Sequence, residues 1–259
     1  MNNIAHLICS KNFSGIEQHV HELTSALTNN SDYDLYIFAD KTLKPHFQNQ
    51  RFQIFPNKFR FNLFALFKLR KLIKDHKIQI LHCHGSKSIL VGRWVSWITK
   101  VELIATVHAN KKRPVATNGF RKTIVVNELL KKTYPAAEVI GNWVNPKLEI
   151  LDSSRDGNFI AVGRLEKIKR FDLLIHAWKG IDEKLEIIGD GLEKNNLLTI
   201  IKDNNLADQI IIRSEVNSQE LGNIYRRAKG LIITSSREGG PRVALEAAAF
   251  NLPVFGTNV

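Results

Sequence analysis

With 259 residues, the chain is long enough for two moderate domains, each with its own core. Its formal charge of +12 is confined to the first part: residues 1–150 carry 22 Lys and Arg against 10 Asp and Glu, whereas residues 151–259 carry 15 of each. A basic half attracts anionic lipid surfaces or acidic acceptors; no recognisable nucleic-acid module accompanies it, so nucleic acid is not an expected partner.

Residues 1–6 lack a basic segment followed by a long apolar core, so no signal peptide is read. No apolar run nears the ~18 residues that span a bilayer. The expectation is a cytoplasmic protein, soluble or peripheral on the inner face of the membrane. Ile4–Ile8 reads as a first strand, and after the Ser14-Gly15 turn Ile16, Val20, Leu23 and Leu27 recur at helical spacing. Asp34–Phe38 follows as a strand. Lys58–Lys74 mixes cations, aromatics and leucines on a predicted helix, whose apolar face suits a sheet and whose outer cations suit a membrane surface. Ile78–His82, Glu102–Val107 and Thr123–Val126 are further strands. Alternating strands and helices argue for a parallel α/β architecture, with residues 1–145 as one Rossmann-like domain. Cys9 and Cys83 lie in apolar runs and read as small buried hydrophobes; no disulfide framework is indicated, which fits a reducing compartment.

Residues 141–157 are polar, contain Pro146 and lack periodicity, as an interdomain connection does. The second domain, 146–259, supplies strands at Phe159–Val162, Leu185–Ile188, Ile210–Ile212, Leu231–Thr234 and Pro253–Phe255, with helices in the intervals.

Two stretches of this second half carry chemistry. In the first, strand Phe159–Val162 ends at Gly163, and Arg164 and Lys169 flank the turn into a helix. Arg offers a planar fork and Lys a compact charge, a pair that suits a diphosphate; two solvated cations are the plainer reading of the same residues. In the second, Glu238 sits in the loop Glu238-Gly239-Gly240-Pro241-Arg242 after an apolar strand, and Glu246 lies in the helix that this loop opens. Glycines let backbone N–H groups approach a ligand, and two carboxylates accept hydrogen bonds from sugar hydroxyls. Capping and helix-dipole effects alone also place acids near helix starts.

Taken together, Val162-Gly163-Arg164-Leu165 with Lys169, the run from Leu185 to Glu193, the run from Asn223 to Ala228, and Glu238 followed at the eighth position by Glu246 resemble the family 4 retaining glycosyltransferases of the GT-B type. Fainter echoes in the first half are Ser14-Gly15-Ile16-Glu17, His82-Cys83-His84-Gly85 and Thr106-Val107-His108. The resemblance implies two Rossmann-like domains facing a cleft, acceptor side first and nucleotide-sugar side second. It also implies a further strand and closing helix beyond Leu252–Phe255, so the second domain is expected to be incomplete at its C-terminal end.

By the same resemblance, Arg164 and Lys169 hold the donor diphosphate, Glu238 contacts the transferred sugar and Glu246 the ribose. Main-chain groups of Gly239, Gly240, Pro241 and Arg242 line the donor, Gly15 lets backbone approach the diphosphate, and His108 lies close to the donor sugar. The reaction implied is transfer from a nucleotide-diphosphate sugar to a hydroxyl of a glycolipid or oligosaccharide acceptor with retention, in lipopolysaccharide or surface polysaccharide synthesis. Neither cofactor nor metal is expected. Three departures stand out: Ser14 where a glycine is common, Arg170 where a glycine commonly follows the lysine, and Trp143 in the connection. His82 and His84 share a strand face and suggest zinc, but a third ligand at a sensible spacing is not seen. The competing readings are a nucleotide-sugar epimerase on the same scaffold and a non-catalytic nucleotide-sugar-binding relic.

Overall fold

A computed structural model describes residues 2–28, 32–56, 63–109, 113–144 and 155–258. The chain divides into two compact units, Met1–Asn142 and Trp143–Val259.

In the first unit, chain order runs β1 (Asn2–Ile8), α1 (Gly15–Leu27), β2 (Tyr33–Ala39), a 3-10 helix (Lys41–Phe47), β3 (Arg51–Ile54) and α2 (Leu63–Asp75). β4 (Ile80–His84), α3 (Gly85–Ser96), β5 (Glu102–Val107), β6 (Lys122–Val125), α4 (Glu128–Lys131) and β7 (Glu138–Val139) follow. The strands form one parallel sheet in the order β3-β2-β1-β4-β5-β6-β7. Period-2 alternation sends Ala5, Leu7, Leu81, Cys83, Leu103 and Ala105 into a core that also takes in residues of α2 and α3. On the opposite face Ile8 packs with Val20 of α1, Leu43 and Phe47. The central strands are thus covered on both sides, which is why they read as near-continuous apolar runs. The two outer strands β3 and β7 escape that signal: β3 has exposed ends and β7 is only two residues long.

Ser14 is the N-cap of α1 in a reciprocal capping box with Glu17, whose Oε2 accepts from Ser14 N at 2.9 Å and Ser14 Oγ at 2.8 Å. A helix-starting function therefore accounts for serine at this position. α2 buries Ala65, Leu69 and Ile73, one side at helical spacing, while Leu63, Phe64 and Phe67 are 74%, 72% and 60% exposed. The predicted apolar face does pack on the sheet; the outer face, however, carries large hydrophobics as well as cations. The first part of that predicted helix, 58–62, lies outside the described residues.

In the second unit, the order is β8 (Phe159–Val162), a 3-10 turn (Lys167–Lys169), α5 (Phe171–Ala177), β9 (Leu185–Ile188), α6 (Lys194–Asp203) and β10 (Ile210–Arg213). α7 (Ser218–Arg227), β11 (Gly230–Ile233), α8 (Arg242–Ala249) and β12 (Val254–Gly256) complete it. These strands are again parallel, in the order β10-β9-β8-β11-β12. Phe171, Leu174 and Ile175 of α5 with Leu197 and Ile201 of α6 fill one face of the sheet. Tyr225, Ala247 and Phe250 fill the other. Ahead of β8, the Arg155 guanidinium donates to the carbonyls of Ala228 at 3.1 Å and of Phe250 and Asn251 at 2.9 Å, tying the ends of α7 and α8 to the start of the sheet.

Both sheets share one winding. The chain goes outward over three strands, then returns to the other side of the first, leaving β1 beside β4 and β8 beside β11. In open parallel sheets, ligands bind at this reversal, beyond the carboxyl ends of the strands. Among the described residues, no helix is long and apolar enough to cross a membrane.

Candidate functional site

In the second unit the reversal lies between β8 and β11, and both predicted stretches leave the sheet there. After β8 the backbone is held from two directions. Gly163 N donates to Ile188 O at 3.0 Å and Leu165 N to Asp190 O at 2.9 Å, while Ser236 N, past β11, donates to Ile168 O at 2.9 Å. Two glycines after β9 permit this closeness. A Cβ on Gly189 would lie 2.0 Å from Gly163 O, and one on Gly191 would lie 2.4 Å from Leu165 O. No side chain fits at either position, so the glycines set the path of the loop bearing Arg164.

Lys169 ends the 3-10 turn and its Nζ donates to Glu238 Oε1 at 2.7 Å, with the two side chains 22% and 15% exposed. The Thr234 hydroxyl donates to Lys169 O at 2.9 Å, adding a second tie between the β8 and β11 loops. Two predicted site residues 69 positions apart are therefore brought into direct contact. Arg164 is more open: its Nη1 pairs with Glu166 at 2.6 Å on a half-exposed surface. Arg170 adopts the left-handed conformation with φ 53°, which glycine takes at little cost and other residues at about 1–2 kcal/mol. The loop thus keeps a glycine-type backbone without the glycine.

Gly239 is buried, Gly240 has φ 109°, and Pro241 is the N-cap of α8 without a side-chain cap bond; Arg242 is the first helical residue. Glu246 lies one turn further along. Its Oε2 accepts a hydrogen bond at 2.9 Å from the hydroxyl of Tyr225, a residue of α7 that is only 2% exposed and stacks on Phe250. Burial, then the charge and hydrogen bond of Glu246, push the Tyr225 hydroxyl far above its usual range, so it remains a neutral donor. Tyr225 belongs to the run Asn223–Ala228 noted in the sequence, but its orienting part needed the packing of α7 on α8 to show itself.

The first unit has its own polar centre at the β1/β4 reversal. Gly15 is the first residue of α1. His108 follows β5, and it is one of five clustered histidines. His6 pairs in register with His82, so His6, His82 and His84 project from neighbouring strands onto one face. His6 Nδ1 lies 3.0 Å from His84 Nε2, His84 Nδ1 lies 3.4 Å from His108 Nε2, and His82 Nε2 lies 2.7 Å from the Thr106 hydroxyl. His19 of α1 covers them, its ring centroid 4.7 Å from that of His108 and 5.8 Å from that of His84. Burial, and then neighbouring histidines, hold His82 and His84 well below the ordinary imidazole range and His6 down to about 3, so all three are neutral at physiological pH. The absence of a third potential ligand, read from linear spacing, is corrected here. His6 comes from the adjacent strand by register, and His19 and His108 from the elements around it. Cys83 points to the other face of β4; burial raises its thiol pKa, and its Sγ fills the space over Gly92.

The description Glycosyltransferase Family 4 matches residues 13–140, and Glycosyl transferases group 1 matches residues 149–259. The chain belongs to the family 4, group 1 glycosyltransferases. This glycosyltransferase is 26% identical over 272 residues to the amylovoran biosynthesis glycosyltransferase AmsD of Erwinia amylovora, covering 93% of this chain and 77% of that one. Its fold is GT-B. It superimposes on Anabaena Alr3699/HepE, solved with UDP and glucose, with a TM-score of 0.83 at 17% identity, over 98% of this chain and 80% of that one. The lipopolysaccharide outer core galactosyltransferase WaaB in its apo form gives a TM-score of 0.74 at 17% identity, over 99% and 80% of the respective chains.

Proposed function

We propose that this glycosyltransferase moves a sugar from a nucleotide-diphosphate donor to a hydroxyl of a glycolipid or oligosaccharide acceptor, with retention, during bacterial surface-glycan synthesis. The second unit takes the donor and the first the acceptor, with the change-over near residue 145. The observation that carries the reading is the Lys169–Glu238 contact bridging the β8 and β11 loops at the sheet reversal.

Arg164 and Lys169 hold the diphosphate and stabilise the charge that grows on it as the sugar leaves, often the largest single contribution to catalysis. Glu246, fixed by Tyr225, accepts hydrogen bonds from the ribose hydroxyls. Glu238 orients the transferred sugar beside the main chain of Gly239 to Arg242, Gly15 admits the diphosphate closely, and His108 faces a hydroxyl of that sugar. The bond from the anomeric carbon to the leaving phosphate breaks while the bond to the acceptor oxygen forms on the same face. The acceptor proton passes to a phosphate oxygen, so no separate side-chain base is needed and the roles assigned require no metal.

The surface-glycan setting is supported by the names of AmsD and WaaB, which concern amylovoran and lipopolysaccharide outer core. A peripheral position on the cytoplasmic face of the membrane is supported by the basic first half and by α2, where exposed Leu63, Phe64 and Phe67 lie among Lys68, Lys71 and Lys74.

A melting series with UDP-, GDP- and ADP-sugars selects the donor, since a ligand that binds only the folded state raises apparent stability. With that nucleotide, calorimetry on Glu246→Ala is expected to show affinity lowered at least about tenfold, or ~1.4 kcal/mol. Glu238→Ala is expected to keep nucleotide affinity within about threefold, under ~0.7 kcal/mol, while turnover collapses. Equal loss of affinity in both variants contradicts the roles assigned.

A further inference from the structure

We propose that the loops after β1 and β2 form an acceptor subsite for an anionic glycan, one whose sugar rings carry carboxylate or phosphate groups. The inference rests on the reading of the first unit as the acceptor side, and it uses none of the residues assigned to the donor. β1 and β2 are adjacent and parallel, so residues 9–14 and the 3-10 helix Lys41–Phe47 leave the sheet at one end. That is the carboxyl end, where the β1/β4 reversal also lies.

The two segments are fastened to each other and to the core. Thr42 Oγ1 donates to Lys11 O at 2.7 Å. Leu43 and Phe47 are buried with Ile8, Val20 and Ile37, and the Asp40 carboxylate caps the 3-10 helix by accepting from Thr42 N at 3.1 Å. Lys11, Lys41, Lys44 and His46 remain exposed on this anchored backbone. Asp40 is the only acid in residues 9–14 and 40–48, so the surface keeps a positive excess. Ammonium groups on a fixed backbone attract anionic oxygens and hold them by charge-assisted hydrogen bonds. A ring stack stands beside these cations. His46 lies on Phe13 with centroids 4.0 Å apart and planes 16° apart, and Phe13 meets the edge of Phe47 at 6.2 Å. Phe47 roots the stack in the core, and His46 is its exposed end. The electron-rich face of an aromatic ring accepts the C–H face of a sugar, while the lysines take its acid groups. Cations alone would suit any polyanion; the rings beside them favour a sugar that bears the charge.

The test uses the full chain with labelled tetragalacturonate, singly phosphorylated maltotetraose, unmodified maltotetraose and phosphatidylglycerol vesicles. At least one charged oligosaccharide is expected to bind at least about tenfold tighter than neutral maltotetraose; the tighter of the two identifies carboxylate or phosphate as the group recognised. Replacing Lys11, Lys41 and Lys44 together with Ser is expected to weaken that binding at least about tenfold, and His46→Ala at least about threefold. Lys77→Asn, Lys100→Ser and Lys122→Thr together remove the same charge near the amino ends of β4, β5 and β6. Asn suits the left-handed backbone at position 77, with φ 48°. This control, checked for folding by circular dichroism like the others, is expected to stay within about threefold of the parent. Equal binding of neutral and charged oligosaccharides overturns the proposal. Equal losses in the two triple variants, or a loss of vesicle binding alone in the Lys11, Lys41 and Lys44 variant, overturn it as well. Nucleotide affinity, measured by calorimetry on the same proteins, separates the two readings. It persists in every variant when only the subsite fails, and it is missing from the unsubstituted chain when the donor reading fails.

Discussion

At the scale of single residues, the proposed donor site depends on side chains that orient others. Tyr225 contributes no group to a ligand in the roles assigned, yet it is the hydrogen-bond donor that fixes Glu246. Tyr225→Phe keeps the ring against Phe250 and removes only the hydroxyl. A hydrogen bond to a charged group contributes about 1.5–3 kcal/mol, and part of that fixes the carboxylate in place. The variant is therefore expected to lose roughly three- to tenfold in nucleotide affinity, about 0.7–1.4 kcal/mol, with a melting temperature within a few degrees of the parent. Calorimetry beside a thermal melt checks this; unchanged affinity removes Tyr225 from the site. His6 gives a second residue-scale expectation. Its folded pKa of about 3 lies below the ordinary 6.5, so the fold favours the neutral ring. That preference costs no stability above pH 6.5 and destabilises progressively as pH falls from 6.5 toward 3. In EDTA-treated protein, the His6 ring resonance is expected not to titrate between pH 7.5 and 4.5, while denaturant midpoints fall over the same range. A ring that titrates near 6.5 contradicts the burial argument.

At the scale of elements, what matters is the spacing between loops. Gly189→Ala places a methyl 2.0 Å from the carbonyl of Gly163, a backbone atom that cannot swing aside. The loop bearing Arg164 must move or the second unit must open. The expected cost is above about 3 kcal/mol, in the range of overpacking combined with backbone strain. Gly180→Ala is the control: it too has a positive φ, but nothing lies within 4 Å of its added methyl, so only strain of about 1–2 kcal/mol is expected. Denaturant unfolding of the pair decides whether proximity or conformation governs. Elements of this kind were readable to different degrees in the sequence. β5, β8 and β9 have the predicted bounds because each is an apolar run buried in the sheet and bounded by polar residues. β3 and β7 went unread because edge strands need no apolar run. The Lys169–Glu238 pair was legible as two halves of a motif, since both residues sit on loops whose order the βα alternation fixes. The histidine cluster was legible only as the pair His82 and His84. Which strand lies beside β4, and in what register, is decided by three-dimensional pairing that local spacing does not encode.

At the scale of the whole molecule, one winding occurs twice with different fillings at the reversal. In the second unit it is lined with a cation and carboxylates, which suit the charged nucleotide-sugar proposed as donor; in the first it is lined with neutral imidazoles. Charge follows the same division, since the cationic excess of the sequence lies entirely in residues 1–150. On vesicles of anionic lipid, binding is therefore expected to fall with salt, and replacing Phe64 and Phe67 of α2 with Ser is expected to weaken it beyond what salt alone removes. Sedimentation with vesicles of graded phosphatidylserine content tests this; insensitivity to the double substitution removes α2 from the contact.

The three bonds from Arg155 also set where a free-standing second half can begin. A polypeptide starting at Arg155 keeps the fastener that joins the last turns of two helices to the first strand. One starting at Asn158 forfeits it, together with the bond from Gly157 N to Arg227 O at 2.9 Å. Three amino-acid residues thus separate a lobe that holds its own hem from one that lacks these four bonds.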